Sequence, residues 1–451
     1  MPREIDASPP PSAHLATLSR MGYSFNAAIA DILDNSIAAG SSNIDLSLLR
    51  YDGKYRLTIA DDGCGMTAEH LLKNMVIGCK DPSTERALND LGRFGAGLKT
   101  ASFSQARRLT VFSRTHSSSI AAAQWDTDLV KREDRWCLLE LSTVEIETEL
   151  ASLDRPNFGS GTMVCWDGIH SLEEAEDKYG AERIVAALVS DLQSYIGLHF
   201  HRFIGSNLCI SINGVRLQAI DPFMRNVPGY FEGQEEVVRS KKGKIVIKAH
   251  NLPRISSLPP DLLSLHGGAK KITEGQGIYL YRNKRLISGG GWHGVATRAE
   301  LNNLARIQID ISSSMDDDWQ TDVKKSRLTI PTKIKQVLRR ISPVPIKRSR
   351  GTHKYAGKLD EATALWMVKT NEREGSESVS YIADLSNEKI KSLLDELEKN
   401  QRVKLVAYLR ELSSELPVKH IYHAVGSNPG SVQRVEDVDR EIAALLEGND
   451  G

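Results

Sequence analysis

Residues 90–105, DLGRFGAGLKTASFSQ, run from a glycine-rich loop into a lysine and then into small, hydroxylated and apolar residues. Such a segment can wrap backbone N–H groups around a phosphate. A Walker loop needs glycine, four residues and then Gly-Lys-Ser/Thr. Gly92 and Gly97 have that spacing, but Leu98 stands at the lysine position and Lys99 comes one residue late. The dinucleotide order G-x-G-x-x-G is missing too, because Gly92, Gly95 and Gly97 give G-x-x-G-x-G after a long polar loop. Alone, the stretch reads equally as a glycine turn capping an ordinary helix. In DILDN, Asp31 and Asn35 are four residues apart and on a helix face the same way. An acid and an amide so placed suit a base for water and a ligand for Mg²⁺. The plainer alternative is a polar helix face with Asp34 as a third member. IADDGCGMT ends a strand in Asp61, Asp62 and two near glycines, Gly63 and Gly65. A carboxylate there can accept from an exocyclic amine while the backbone comes close to a flat ring, or the residues form an Asp-Gly turn. GSGTMVCW adds the small hydroxyl of Thr162 on a later strand.

The periodicity that must position these residues alternates between helix and strand. FNAAIADILDNSIAAG and TAEHLLKNMVI read as helices, and NIDLSLLRY, KYRLTIADDG, RRLTVFSR, CLLELSTVEI and GTMVCWDGI as strands. Helices layered over a sheet bury these faces, so the first domain is α+β or α/β. The helix AERIVAALVSDLQSYIGLHF leads to a second strand-rich block containing GKIVIKAHNL, GIYLYRNKRLI and ARIQIDIS. A run without acids follows, carrying Lys333, Lys335, Arg339, Arg340, Lys347, Arg348, Arg350, Lys354 and Lys358. The remainder reads as helices. The expected organisation is a mobile arm over 1–18, a nucleotide-type domain over 19–195, a second α/β domain over 196–335, a basic linker over 336–358 and a helical C-terminal region over 359–451.

With 451 residues, 40% of them hydrophobic and 26% charged, the chain has the composition of a globular protein of several domains. Lysine plus arginine balances aspartate plus glutamate at 58 each, so any nucleic-acid partner has to be argued from local runs. The 5 cysteines are scattered, with no C-x-x-C pair, which fits a reducing cytoplasm and not a zinc site. The N-terminus carries charges and prolines in place of an apolar core, and no stretch is long enough for a membrane span, so no membrane partner is expected.

In order and spacing these motifs resemble the GHKL ATPases, the group of gyrase B, the ninety-kilodalton heat-shock chaperone, MutL, sensor histidine kinases and the microrchidia (MORC) proteins. The resemblance covers about residues 15–335. It implies the Bergerat fold, an α/β sandwich holding Mg²⁺-ATP between helices and sheet under a mobile lid. By the same resemblance Asp61 matches the aspartate that binds the adenine amino group, Gly63 and Gly65 let the ring approach, and Met66 packs on it. Asn74 matches a sugar- and phosphate-contacting asparagine, Thr162 joins Asp61 at the adenine, and Asn35 ligates Mg²⁺. Gly92, Gly95, Ala96, Gly97, Leu98 and Lys99 then form the second glycine box, a phosphate lid opening a helix.

The second block is similar to the transducer domain that follows in mechanical members. Val323-Lys324-Lys325 resembles the segment that returns a lysine to the γ-phosphate, with Lys325 in the role and Lys324 beside it. GLKTAS and YRNKRLI are more similar to microrchidia-type ATPases than to the chaperone or gyrase. The chain departs from the family at Asp31, where most hydrolysing members have glutamate. Aspartate is shorter by one C–C bond, about 1.5 Å, which puts rapid turnover in doubt. The resemblance implies an ATP-driven homodimeric clamp that acts on DNA, in a defence or restriction-like setting, and the basic run agrees with that. A protein-remodelling chaperone with a protein client is the alternative. A sensor kinase is not expected, because a transducer-like block follows the nucleotide motifs.

Overall fold

The computed structural model describes residues 9–20, 22–51, 54–78, 97–153, 159–173, 180–240, 242–315, 319, 330–353, 365–373 and 376–417. The chain opens with helices α1 (Pro11–Ser19) and α2 (Phe25–Ala38), strands β1 (Asn43–Tyr51) and β2 (Lys54–Asp61), and helices α3 (Ala68–Met75) and α4 (Gly97–Gln105). There follow β3 (Ala106–Arg114), β4 (Ala121–Asp126), α5 (Thr127–Glu133), β5 (Leu138–Glu140), α6 (Thr143–Ser152), β6 (Gly161–Ile169), α7 (Ala181–His199), β7 (Cys209–Ile212) and β8 (Val215–Arg216). These strands form one sheet in the order β5-β4-β3-β6-β2-β1-β7-β8, antiparallel apart from the β1–β7 pair. Serine and threonine caps start the two site helices: the Ser24 side chain accepts from Ala27 N–H at α2, and Thr67 from His70 N–H at α3.

Period-two alternation divides the sheet into two faces. Leu57 and Ile59 of β2, Leu109 and Val111 of β3, and Val164 and Trp166 of β6 enter the core shared with α1, α2 and α4. Ala60, Phe112, Met163 and Cys165 alternate with them and meet Ile146 and Leu150 of α6 on the other face. Each such aliphatic side chain contributes about 1.5–3 kcal/mol when fully buried. Trp166 Nε1 donates to Ser102 Oγ at 2.8 Å and so pins α4 onto the sheet. The architecture is the α/β sandwich expected from the sequence. Two boundaries differ from expectation. Residues 11–19 form a helix whose Leu15 and Leu18 are buried in the core, not an arm. The sheet also runs past residue 195, because β7 pairs in parallel with β1.

A second sheet is built from β9 (Phe231–Ser240), β10 (Gly243–Asn251), β11 (Gly277–Arg282), β12 (Arg285–Gly289) and β13 (Ala305–Ile311) in the order β12-β11-β13-β10-β9, with short helices α8 (Pro260–Leu265) and α9 (Gly268–Glu274) before β11. Both sheets lie in one compact unit, residues 1–253, 258–298 and 304–345. Its last helix is α10 (Thr332–Ile341), with Ile334 and Leu338 buried. The basic run is therefore not a linker over its described part, and α11 (Pro343–His353) continues it as helix.

The other unit comprises residues 254–257, 299–303 and 346–451. It holds a hairpin of β14 (Trp366–Arg373) and β15 (Ser376–Ala383), then α12 (Glu388–Glu396) and α13 (Lys399–Ser414). The expected helical C-terminal region thus also contains a two-stranded sheet. Among the described residues no helix is long and apolar enough to cross a membrane.

Two buried histidines make the second sheet sensitive to acid. His201 and His250 are each pushed down to about 4, foremost by burial. An unfolded histidine takes up its proton near 6.5, so below that pH the unfolded chain binds more protons than the folded one. This contribution to stability is complete above about pH 6.5 and is lost as the pH falls towards 4. Urea midpoints followed by circular dichroism are expected to fall across that window, and to fall less in His250→Gln. A midpoint constant from pH 6.5 to 4 would contradict the assignment.

Candidate functional site

Register brings the adenine-type residues together. Asp61 at the end of β2 pairs with Thr162 of β6, which pairs with Ser113 of β3. By the same alternation all three side chains face the helices. Thr162 N–H donates to Asp61 Oδ1 at 3.3 Å, the Thr162 and Ser113 hydroxyls are 2.8 Å apart, and Ser113 Oγ accepts from Met66 N–H at 2.8 Å. Gly63 N–H donates to Asp61 Oδ1 at 2.9 Å, and Ser36 of α2 donates to Oδ2 at 2.8 Å. A carboxylate offers about four acceptor positions, and Ser36, Gly63, Thr162 and Ser41 all bear on this one. Burial raises the Asp61 pKa, with the Ser36, Gly63 and Thr162 hydrogen bonds opposing it.

The neighbouring Asp62 has a different task. It accepts from the backbone of Ser42 and Asn43 at 2.7 and 2.8 Å and from Asn43 Nδ2 at 2.7 Å, which fixes the start of β1. Burial pushes its carboxyl up, but these bonds outweigh it and hold the group below the usual range. Of the two adjacent aspartates, Asp61 is the one turned into the site.

The glycines are required by the protein's own packing. A Cβ on Gly63 would lie 2.8 Å from that of Ala39, and one on Gly65, where φ is +64°, 1.9 Å from the Arg114 carbonyl oxygen. Gly161, which the sequence motifs did not single out, has φ +134°, and its Cβ would fall 1.9 Å from the Asp61 carbonyl oxygen. Asn74 Nδ2 lies 3.3 Å from the Met66 sulfur.

Lys99 is placed otherwise than the second glycine box suggests. It is buried, and its ammonium donates to the carbonyls of Asn74 at 2.6 Å and Val76 at 2.9 Å, tying α4 to the C-terminal end of α3. Leu98 packs against the core, and Gly97 starts α4. Gly92, Gly95, Ala96, Lys324 and Lys325 lie outside the described residues.

At the other end of α2, a Cβ on Gly97 would be 3.8 Å from Asp31 Oδ2, so this carboxylate stands beside the start of α4. Tyr23 is hydrogen-bonded to Asp31 and to Thr100, and its phenol is pushed up by burial and then by Asp31, so it remains a donor. Arg285 of β12 bonds Asp34 and lies 3.6 Å from Asp31 Oδ1. Tyr23, Ser113 and Arg285 escaped the sequence reading; for Arg285 the available signal was the Asn-Lys turn in YRNKRLI, which puts an arginine at a hairpin tip.

Asn35 is exposed, one residue after Asp34. Among the described residues no group of three or more His, Cys, Asp and Glu forms a metal cluster. One accessible carboxamide oxygen fits Mg²⁺, which keeps several waters and takes phosphate oxygens as its other ligands.

Residues 23–162 match the family model described as histidine kinase-, DNA gyrase B-, and HSP90-like ATPase. The matched segment contains every described site residue of α2, α3, α4 and β2, and it ends on Thr162. It has the sequence character of an ATP-binding ATPase domain, and the sandwich around it is the corresponding fold.

The Gly161 geometry gives a stability test of this corner. Gly161→Ala is expected to destabilise the protein by at least about 2 kcal/mol in urea unfolding, whereas Gly159→Ala, two residues earlier, should stay within about 0.5 kcal/mol. Among the described residues no atom lies within 4 Å of a Cβ at Gly159. Equal midpoints for the two variants would show that β2 and β6 approach less closely than described.

Proposed function

We propose that this chain is a Mg²⁺-ATP-dependent ATPase that turns over slowly and works as a nucleotide-operated dimeric clamp on DNA. The observation that carries the nucleotide reading is the Asp61 carboxylate, in register with Thr162 and Ser113 and facing the helices within the matched segment. In this reading the adenine amino group donates to Asp61, the Thr162 hydroxyl assists, and Met66 packs on the ring. The triphosphate then runs towards Asn35 and the start of α4, whose N–H groups favour an anion. When bound, Mg²⁺ neutralises phosphate charge. Asp31 accepts the proton of the attacking water, and Tyr23 orients its carboxylate. The short aspartate side chain limits reach, and a misplacement of about 1 Å can cost about a hundredfold in rate.

Calorimetry and phosphate release test this together. Asp61→Asn is expected to weaken ATP binding at least about tenfold, because it removes the charge and presents a donor where an acceptor is needed. Asp31→Ala should bind ATP as the wild type does and lose turnover, and Asp31→Glu should retain or raise it. Unchanged binding in a folded Asp61→Asn protein would defeat the adenine assignment; equal turnover in wild type and Asp31→Ala would remove Asp31 as the base.

The DNA part rests on the basic helices. Lys333, Arg339, Arg340, Lys347, Arg348 and Arg350 are exposed, although Arg340 pairs with Glu236, Arg339 donates to the Gly294 carbonyl at 3.3 Å, Arg350 Nε donates to Asn302 at 3.0 Å, and Arg348 also has a partner. Duplex binding should be tighter with a non-hydrolysable ATP analogue, insensitive to sequence and steeply weakened by salt. Replacing Lys333, Lys347 and Arg348 by alanine should weaken it and flatten the salt slope by about 0.9 for each phosphate that is no longer neutralised. Absence of nucleotide-dependent DNA binding near physiological salt would favour a protein client instead.

A further inference from the structure

The β11–β12 hairpin turns through Asn283 and Lys284, both with positive φ (46° and 72°), the two-residue geometry that matches strand twist. Arg285 is the first residue after this turn and is almost fully buried. Its guanidinium reaches α2, bonds Asp34, lies 3.6 Å from Asp31 Oδ1, and has its carbon 5.2 Å from the centre of the Phe200 ring. The two carboxylates differ in surroundings: Asp34 is buried, and the Asp31 side chain is 13% exposed. The two oxygens of Asp31 differ as well, Oδ1 facing Arg285 and Oδ2 facing the start of α4.

We propose that Arg285 is a positioning residue for Asp31: anchored on Asp34, its guanidinium holds Oδ1, leaves Oδ2 towards the phosphate side, and makes that placement depend on the five-stranded sheet. This rests on reading Asp31 as the base. A tight turn has little slack, so a displacement of β12 relative to α2 carries the guanidinium with it. The second sheet then sets the reach of a base that is already short, through a contact separate from any lysine acting on the γ-phosphate.

The test uses the full chain and begins with calorimetry of a non-hydrolysable ATP analogue on the wild type. Arg285→Gln is expected to keep analogue affinity within about twofold and to lower kcat about tenfold to a hundredfold. Arg285→Lys should recover part of that loss. In an Asp31→Asn background, Arg285→Gln should change kcat by less than about twofold, because its effect runs through Asp31. Hydrogen exchange supplies a readout independent of turnover: the analogue should slow exchange in both α2 and β12 of the wild type, and only in α2 of Arg285→Gln. Equal losses of affinity and kcat in Arg285→Gln, additive effects in the double variant, or wild-type β12 exchange indifferent to the analogue would each overturn the proposal. If Arg285→Gln does not fold, Arg285→Lys decides, and a lysine variant with wild-type kcat overturns it. Wild type that binds no analogue would overturn the ATPase reading and this inference with it.

Discussion

A guanidinium buried between two carboxylates of one helix joins the halves of the larger unit. Removing such a group from water costs several kcal/mol and is tolerated only where opposite charge and hydrogen-bond acceptors meet it. Arg285 meets Asp34, Asp31 and the Tyr195 phenol; burial drags its pKa down, and the Asp34 and Asp31 charges overcome that. The arrangement constrains both sides. Without Arg285, Asp34 would be a buried anion one turn from a second carboxylate, Asp31, and without α2 the hairpin tip would carry a buried cation. The eight-stranded and five-stranded sheets are therefore coupled by a charge that neither can hold alone.

The opposite end of α2 is governed by sterics. Ser36 bonds Asp61, Ala39 abuts Gly63, and the Ala39 carbonyl accepts from Cys64 N–H at 3.0 Å. Backbone approaches this close exclude any side chain, so the glycines of the Asp-Asp-Gly-Cys-Gly stretch serve the junction of helix and strand before they serve a ligand. The local pattern also separates the two aspartates: Asp62 is engaged by the start of β1, and Asp61 faces inward.

Much of this was legible in the sequence because it depends on local periodicity. The i,i+4 pair Asp31 and Asn35, the strand ending in Asp61, and the alternation on β2, β3 and β6 follow from spacing alone and point to helices layered on a sheet; the sandwich itself was what the resemblance implied. What the sequence hid depends on partners distant in the chain. Ser113 matters because β3 lies beside β6, and Arg285 because a hairpin about 250 residues after α2 folds back onto it. Lys99 was misleading for the same reason. A lysine beside glycines looks like a phosphate ligand, but its charge is spent on carbonyls that α3 leaves open at its C-terminal end. The basic run looked like a linker because charge dominated the composition, while Ile334 and Leu338, four residues apart, are enough to seat α10.

Four of the five polar residues of helix α2 consequently have separate surroundings. Asp34 turns into the seam with the second sheet, Asp31 stands between that seam and α4, Asn35 faces outward, and Ser36 reaches the strand end. A shift imposed at Asp34 by the five-stranded sheet would reach the Asp31 side chain, the proposed base, since Asp31 is one turn away and lies 3.6 Å from the same guanidinium. It would reach Asp61 least, because that carboxylate is also held by Gly63 and Thr162. In the clamp proposed above, the second sheet can therefore act at the Asp31 side of α2 while leaving the Asp61 side nearly unchanged, which is the separation such a clamp needs if binding is to close it and turnover is to reset it.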